Sequence, residues 1–389
     1  MTSPLPGAHD PSVVLAVADR DEQRQAWHAS HPSWGGGLTL DQYCAREEDL
    51  LTTALARDGA LTPWILTDAA SGPRRILSSC ETLRKRAVVA RPDGTLTDVT
   101  AHGVASVFTE PACRSRGYAG RMMALLGEEL ARREQTDPGA AAFSVLFSDI
   151  GPTFYANHQW MPVGNTHLEF PVAAEPPSST VPPAHITELG DGHLAALAAR
   201  DEQLLRAQLG TPLADSSSTT VRAAILPDLA TLQWQYRRED HMLRHFLGRA
   251  PRVRGALYTP PPGGSERRVW GLWARSRYGG AADGDPVVTV LHFLRLVVED
   301  EPATADEALA EALAGIMAVA RREAAEASCR RIEMWNPSER VRAAFRDRLP
   351  QLEGKVVERD TSNLASLRWF GAGSVDNVEW VANERFEWC

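Results

Sequence analysis

Between Arg114 and Gly120 the chain reads Arg-Ser-Arg-Gly-Tyr-Ala-Gly, two arginines set among residues small enough for a ligand to reach the backbone. A helix is expected to follow. The first amides of a helix have no partner within it, so their N–H groups point outward toward negative charge. The chemistry this spacing offers is the grip of an anion, and a pyrophosphate suits it. Metal chemistry finds little footing. His241 and His245 stand four apart on an expected helix and could share one face of it, but no further ligand lies near them in sequence. The five cysteines, at 44, 80, 113, 329 and 389, are odd in number and form no C-x-x-C pair, so reduced thiols and no metal are expected.

The elements that must position this cradle lie on both sides of it. Val104 to Thr109 alternates and is rich in β-branched and aromatic residues, a strand that Pro111 ends. Met122, Leu126 and Leu130 recur every four residues, the stripe that an amphipathic helix turns toward a core. Phe143 to Phe147 reads as another strand and Pro152 to Trp160 as a short helix ending at a bulky aromatic. This order resembles the coenzyme-A-binding core of the GNAT N-acetyltransferase superfamily. Of its signature, (Arg/Gln)-x-x-Gly-x-(Gly/Ala), Arg114, Gly117 and Ala119 fill the defining positions. The superfamily's Phe-Tyr-x-x-x-Gly-Phe ending appears as Phe154-Tyr155-Ala-Asn-His158-Gln159-Trp160, with glutamine at the customary glycine, so the turn there is expected to be shaped differently.

A chain of 389 residues has room for two or three domains, and 43% hydrophobic with 23% charged residues places it among soluble globular proteins. A net charge of -9 argues against a nucleic-acid partner and is compatible with a small cationic substrate. Met1 to Ser12 has neither the basic start nor the apolar run of a signal peptide, and no stretch is long enough to span a bilayer, so a cytoplasmic protein without a membrane partner is expected.

Val13 to Ala16, Trp64 to Thr67 and Arg75 to Leu83 are expected strands; Gln25 to Ala56 is helical, interrupted at His31-Pro-Ser-Trp-Gly-Gly-Gly37 by what reads as a mobile loop. Ala173 to Pro183 has linker composition, which divides the chain into 1–172, a linker at 173–185, and 186–389. Beyond it, helices are expected over His193 to Leu209, Thr219 to Ala224 and Glu239 to Leu247. Strands are expected at Gly255 to Tyr258, Trp270 to Arg275 and Val287 to Val298, with surface loops at Pro260 to Gly264 and Gly279-Gly280. A helix over Asp306 to Ala327, a strand at Arg331 to Trp335 and a Ser338-capped helix complete a second strand, helix, strand, short helix series. Its connecting loop, Glu299 to Ala305, is acidic and lacks glycine, so it would repel a pyrophosphate. The expected fold class is α/β (α+β): an N-terminal GNAT domain with a mixed central sheet flanked by helices, and a degenerate GNAT-like C-terminal domain. The apolar ending Phe386-Glu-Trp-Cys389 is expected to be packed.

The superfamily resemblance implies acetyl-CoA as cosubstrate. Main-chain groups of Val107 and Thr109, with Phe108 between, would pair with the pantetheine arm, and the Val107 N–H would polarise the thioester carbonyl. Arg114, Ser115, Arg116, Gly117, Tyr118, Ala119 and Gly120 would hold the pyrophosphate. Tyr155 would reprotonate the leaving thiolate, and the region between the first two strands would shape the acceptor pocket. An alkylamine of pKa about 10.4 is nearly all protonated at neutral pH, so a base is required. Glu81 and Asp149 are the carboxylate candidates, with His102 behind them and the terminal carboxylate of Cys389 as a further one.

Ser79-Cys-Glu-Thr-Leu-Arg-Lys85, Gly103 to Phe108, Arg116 to Ala119 and Phe147-Ser-Asp-Ile-Gly151 resemble, more closely, the fungal lysine N-ε-acetyltransferases of lysine catabolism. That resemblance implies acetyl transfer to free L-lysine, with Arg84, Lys85 and Asp149 available to meet its charged ends. Another small primary amine, a xenobiotic, a protein lysine and a non-catalytic acetyl-CoA sensor are the alternatives.

Overall fold

The computed structural model describes residues 5–69, 74–172, 183–215, 217–261, 267–279 and 287–389. Its framework is a pair of mixed sheets. The first begins with β1 (Val13–Val17), β2 (Leu61–Asp68), β3 (Ile76–Ala90) and β4 (Leu96–Phe108), each antiparallel to the one before. Next comes β5 (Phe143–Ser148), which pairs with β4 in parallel. Parallel neighbours need a crossover, and α3 (Tyr118–Thr136) supplies it.

Two earlier helices, α1 (Arg20–Trp34) and α2 (Leu40–Leu50), bridge β1 and β2. Each starts at a reciprocal cap: Asp19 with Glu22, and Thr39 with Gln42. The stripe Met122, Leu126 and Leu130 of α3 is fully buried against Trp64, Leu77 and Leu146. After β5 follow α4 (Thr153–Ala156) and the two-residue β6 (Met161–Pro162).

The second sheet draws on β7 (Thr166–Pro171) and β8 (Ile186–Leu189). Between these and its other strands lie α5 (Asp191–Leu209), β9 (Val221–Ile225) and α6 (Leu229–Leu247). It continues with β10 (Gly255–Tyr258), β11 (Val269–Tyr278), β12 (Val288–Val298), β13 (Arg331–Trp335) and β14 (Lys355–Glu358), in the spatial order β14-β7-β13-β12-β11-β10-β8. The crossover between the parallel pair β12 and β13 is α7 (Asp306–Glu326), and α8 (Glu339–Ala343), capped by Ser338, follows. This repeats the order of β4, α3, β5 and α4.

The sheets exchange strands. β7 crosses to the second sheet and pairs with β13, whereas β15 (Leu364–Trp369) returns to the first and lies between β5 and β6. β9 pairs with β3 and with β16 (Val378–Trp380), also in the first sheet. The two sheets therefore do not part at the Pro-rich segment, of which 173–182 lie outside the described residues, as do 262–264 and Gly280 of the two glycine-bearing loops. One apolar cluster joins them, with Phe143, Val145 and Leu367 packed with Trp270, Leu272 and Leu294.

Two expectations are corrected. Thr219 to Ala224 is not helical: Val221–Ile225 is a strand, because Ala223, Ala224 and Ile225 are fully buried between β3 and β16 and cross-strand pairing outweighs the helix preference of alanine. The break expected at His31 comes later, since α1 runs through Pro32 to Trp34 and stops at Gly35.

Candidate active site

The parallel pairing of β4 with β5 covers Ala101–Gly103 against Phe143–Val145 and then ends. Beyond it the two strands continue without pairing, which opens a cleft in the middle of the sheet. On its other side β4 pairs with β3, where Phe108 faces Ser79 and Ala105 faces Glu81, so Ser106 and Val107 share the space of one residue. This is a bulge, and Ser106 carries the left-handed φ of 54° that it requires. The main chain around Val107 is thereby taken out of the ladder at the edge of the cleft.

A cavity of about 470 Å³ occupies the cleft. Arg114 and Ala119 stand at its cradle end, Val107, Phe108, Thr109 and Tyr155 line its middle, and Glu81 and Cys389 border it too. Trp234, Arg238, Tyr278 and Trp388, all from beyond residue 185, complete the wall.

At the cradle, Arg114, Ser115, Arg116 and Gly117 are exposed. Ser115 (φ 61°) and Gly117 (φ 84°) are left-handed, and Gly117 caps α3 with no side chain over its first amides. Arg114 donates from Nε to the Thr109 carbonyl at 3.0 Å, which ties the cradle to the end of β4. Tyr118 turns its ring into the core and donates its hydroxyl to the Pro6 carbonyl at 2.5 Å, so only its main chain is left for a ligand. Beside Gly120, a Cβ would come within 3.1 Å of His158 Nε2. A helix start without a side-chain cap, two exposed arginines and an adjoining cleft fit a nucleotide pyrophosphate with its pantetheine arm.

The three side chains expected to do acid–base chemistry, Glu81, Asp149 and Tyr155, share the cavity. Glu81 accepts from Trp27 Nε1 at 3.4 Å and from Ser106 Oγ at 3.1 Å. Burial, aided by the negative charge of Glu47, pushes its pKa up to about 7. Asp149 is exposed and accepts from the Asn363 amide at 2.9 Å. Tyr155 is buried, and that burial, with the charges of Cys80 and Asp149, raises its pKa well above that of a free phenol, so the hydroxyl keeps its proton.

The tail is packed as expected. Gln235 Nε2 donates to the Trp388 carbonyl at 2.6 Å, and the Cys389 thiol lies 3.8 Å from the Val104 carbonyl. Cys389 thus reaches the first sheet's cavity.

Other candidates do not line it. His102 is buried in β4 with Nε2 3.2 Å from the Ala140 carbonyl, and burial lowers its pKa to about 4. Arg84 is exposed on β3. Lys85 is buried and donates to the Glu387 carbonyl at 2.5 Å, so it anchors the tail.

Trp27, Trp34, Tyr43, Arg46 and Glu47 of the first two helices do line the cavity, in the region expected to shape the acceptor pocket, though none had been singled out. Their aromatic density was the available signal. Arg238 and Tyr278 carried none, because only the tertiary fold brings them there, whereas Trp388 belongs to the apolar ending that was expected to be packed. His167, Glu169 and Glu333 place ligand atoms within 4.8 Å of one another on the second sheet. Arg331 Nε already lies 2.6 Å from Glu333 and 3.2 Å from Glu169, which gives the two carboxylates a cation.

A family model described as the LYC1 GNAT-like C-terminal domain matches residues 167–389. The chain belongs to this LYC1-like GNAT family. A "Lysine acetyltransferase" of Yarrowia lipolytica is 28% identical over 154 residues. That match spans 40% of this chain and 38% of the relative's length. Among solved structures, Saccharomyces cerevisiae N-myristoyltransferase with bound myristoyl-CoA and inhibitors aligns over 99% of this chain and 87% of its own, with a TM-score of 0.52 and 9% identity. At that identity it shows the fold alone. A GCN5-related N-acetyltransferase from Kribbella flavida aligns over 92% of this chain and 72% of its own, with a TM-score of 0.45 and 15% identity. The LYC1-like GNAT family thus accounts for the second half's repeat of strand, helix, strand and short helix.

Proposed function

We propose that this chain is an acetyl-CoA-dependent N-acetyltransferase that modifies the ε-amine of free L-lysine, as in lysine catabolism. The observation that carries the reading is a single cavity running from the exposed amides of the α3 cradle to a carboxyl of pKa about 7, with a protonated phenol between. Similarity to the Yarrowia protein named a lysine acetyltransferase supports the choice of acceptor.

Acetyl-CoA supplies an activated thioester, and this chain's residues do the rest. The Arg114–Gly120 cradle takes the pyrophosphate, and the freed main chain of Val107 and Thr109 aligns the pantetheine arm. The Val107 N–H faces the oxygen on which charge develops. Glu81, directly or through one water, removes the proton of the acceptor ammonium, and its pKa near 7 suits that task at neutral pH. Tyr155 delivers a proton to the departing thiolate. The terminal carboxylate of Cys389 is the alternative base within the same cavity.

The test is thiol release from acetyl-CoA with free L-lysine, other small amines and a lysine-bearing peptide. Turnover of free lysine above the other acceptors is expected. Turnover of the peptide without turnover of the free amino acid would overturn the reading.

A further inference from the structure

Arg238 enters the cavity from α6, on the wall that the second half of the chain contributes. The other arginines there are engaged. Arg46 is bonded to Glu47, Arg114 donates to the Thr109 carbonyl at 3.0 Å, and Arg277 donates to the Thr289 hydroxyl at 3.5 Å. Among the described residues, Arg238 has no hydrogen bond and no ion pair; its contact is the Trp388 ring, 4.5 Å below the guanidinium carbon.

Stacking of this kind uses the flat face of the guanidinium and leaves the donors on its edge unspent. It also fixes the plane in which they point, and Trp388 is itself held by Gln235. A cation in this position is costly to the free protein: burial and the nearby charge of Arg46 lower its pKa to about 10. Such a group is relieved by an incoming anion. The pyrophosphate end of the cavity, at Arg114 and Ala119, has its own donors, so the anion that Arg238 awaits belongs to the acceptor.

We infer that Arg238 is the docking group for the carboxylate of the amino-acid acceptor. The inference rests on the acetyltransferase reading above. It gives the cavity charges of opposite sign for the two ends of one molecule: Glu81 for the reacting amine, Arg238 for the carboxylate. Glu47 lines the cavity too, with its carboxylate already held by Arg46. A peptide lysine offers no carboxylate at this position, and a simple diamine offers none at all.

The experiment compares kcat/KM for L-lysine with kcat/KM for pentane-1,5-diamine, the same chain without the carboxylate, in wild type, Arg238→Met and Arg238→Lys. Arg238→Met is expected to lower the lysine-to-diamine ratio by about tenfold or more, since one lost charged contact of roughly 1.4 kcal/mol is a factor of ten. Arg238→Lys, which keeps the charge and loses the fork, is expected to fall between. Because the ratio cancels losses from misfolding, it reads recognition alone. A ratio in Arg238→Met within twofold of wild type overturns the inference and leaves the acetyltransferase reading standing. Failure of wild type to turn over either amine overturns that reading, and the inference with it.

Discussion

Burial pushes the pKa of the Glu81 carboxyl up to about 7, which does not help folding but would suit the base proposed above. As a base it works deprotonated, so kcat/KM should rise with pH through about 7 and level off above it. Glu81→Gln should abolish that limb and lower kcat/KM by roughly 10²- to 10⁴-fold, the usual worth of a positioned base. A pH–rate profile checks both. An unchanged limb in this variant would shift the role to the Cys389 carboxylate. The stability sign runs the other way. The folded pKa of Glu81 lies above the unfolded value of 4.5, so its contribution to stability is complete below that value and is lost as pH rises through about 7. Glu81→Gln should therefore melt higher than wild type at pH 8 while being the poorer enzyme. Tyr155→Phe separates binding from chemistry: kcat should fall, and calorimetric affinity for acetyl-CoA should hold, because the phenol's hydroxyl and not the ring is what is removed. Glu81 and Tyr155 were legible in the sequence because each sits within a few residues of a strand or helix whose period announces itself. Arg238 was not, since it lies more than a hundred residues from Glu81 and no local pattern encodes its arrival.

Among the elements, the start of α3 is the most exacting. Gly117 adopts φ 84° with open space beside it apart from Ala8, so what excludes a side chain there is backbone strain and not crowding. Gly117→Val should cost about 1–2 kcal/mol of stability and weaken acetyl-CoA binding further, by turning the first amides of the helix. Thermal melting and calorimetry read the two effects separately, and an unaltered affinity would remove the cradle from the cofactor site. The corresponding loop before α7 was legible as glycine-free and acidic. Two of its three acids, however, are already neutralised: Glu299 is held by Arg200 and Arg268, and Asp300 by Arg267. Burial works against the charge on Glu299, yet the hydrogen bonds from Arg268 and Arg200 keep its pKa near 2. Bare repulsion is therefore the weaker reason for setting this loop apart from the first; the missing glycine, and arginines spent on neighbouring acids, are the stronger one. Strand β9 shows where local reading stops. Its alanines favour a helix in isolation, and only the edge of β3, more than a hundred residues upstream, makes it a strand.

For the molecule as a whole, the exchange of β7 for β15 ties the halves into one folding unit. Residues 1–172 alone would lack β15, leaving the backbone edge of β5 without its antiparallel partner along Phe143–Ser148. They would also carry β7 with neither β13 nor β14 to pair with. The loss is apolar as well as polar, because Phe143 and Val145 are fully buried in a cluster that includes Trp270, Leu272, Leu294 and Phe386. An open edge and an uncovered apolar face are the features that lead to aggregation. The fragment 1–172 is therefore expected to be insoluble or to lack a cooperative melt, even though it holds the cradle, Glu81 and Tyr155. The intact chain should unfold in one calorimetric transition, its van't Hoff and calorimetric enthalpies agreeing. Two separated transitions, or a fragment that binds acetyl-CoA, would refute the coupling. If the coupling holds, it explains how a second domain without a cradle of its own is kept: it completes the first domain's sheet and walls the acceptor end of the cavity through Trp234, Arg238, Tyr278 and Trp388. Removing Trp388 and Cys389 tests that last point with the fold nearly intact. The truncated chain should retain affinity for acetyl-CoA, bound at the far end of the cavity, and lose most of its turnover of free amine.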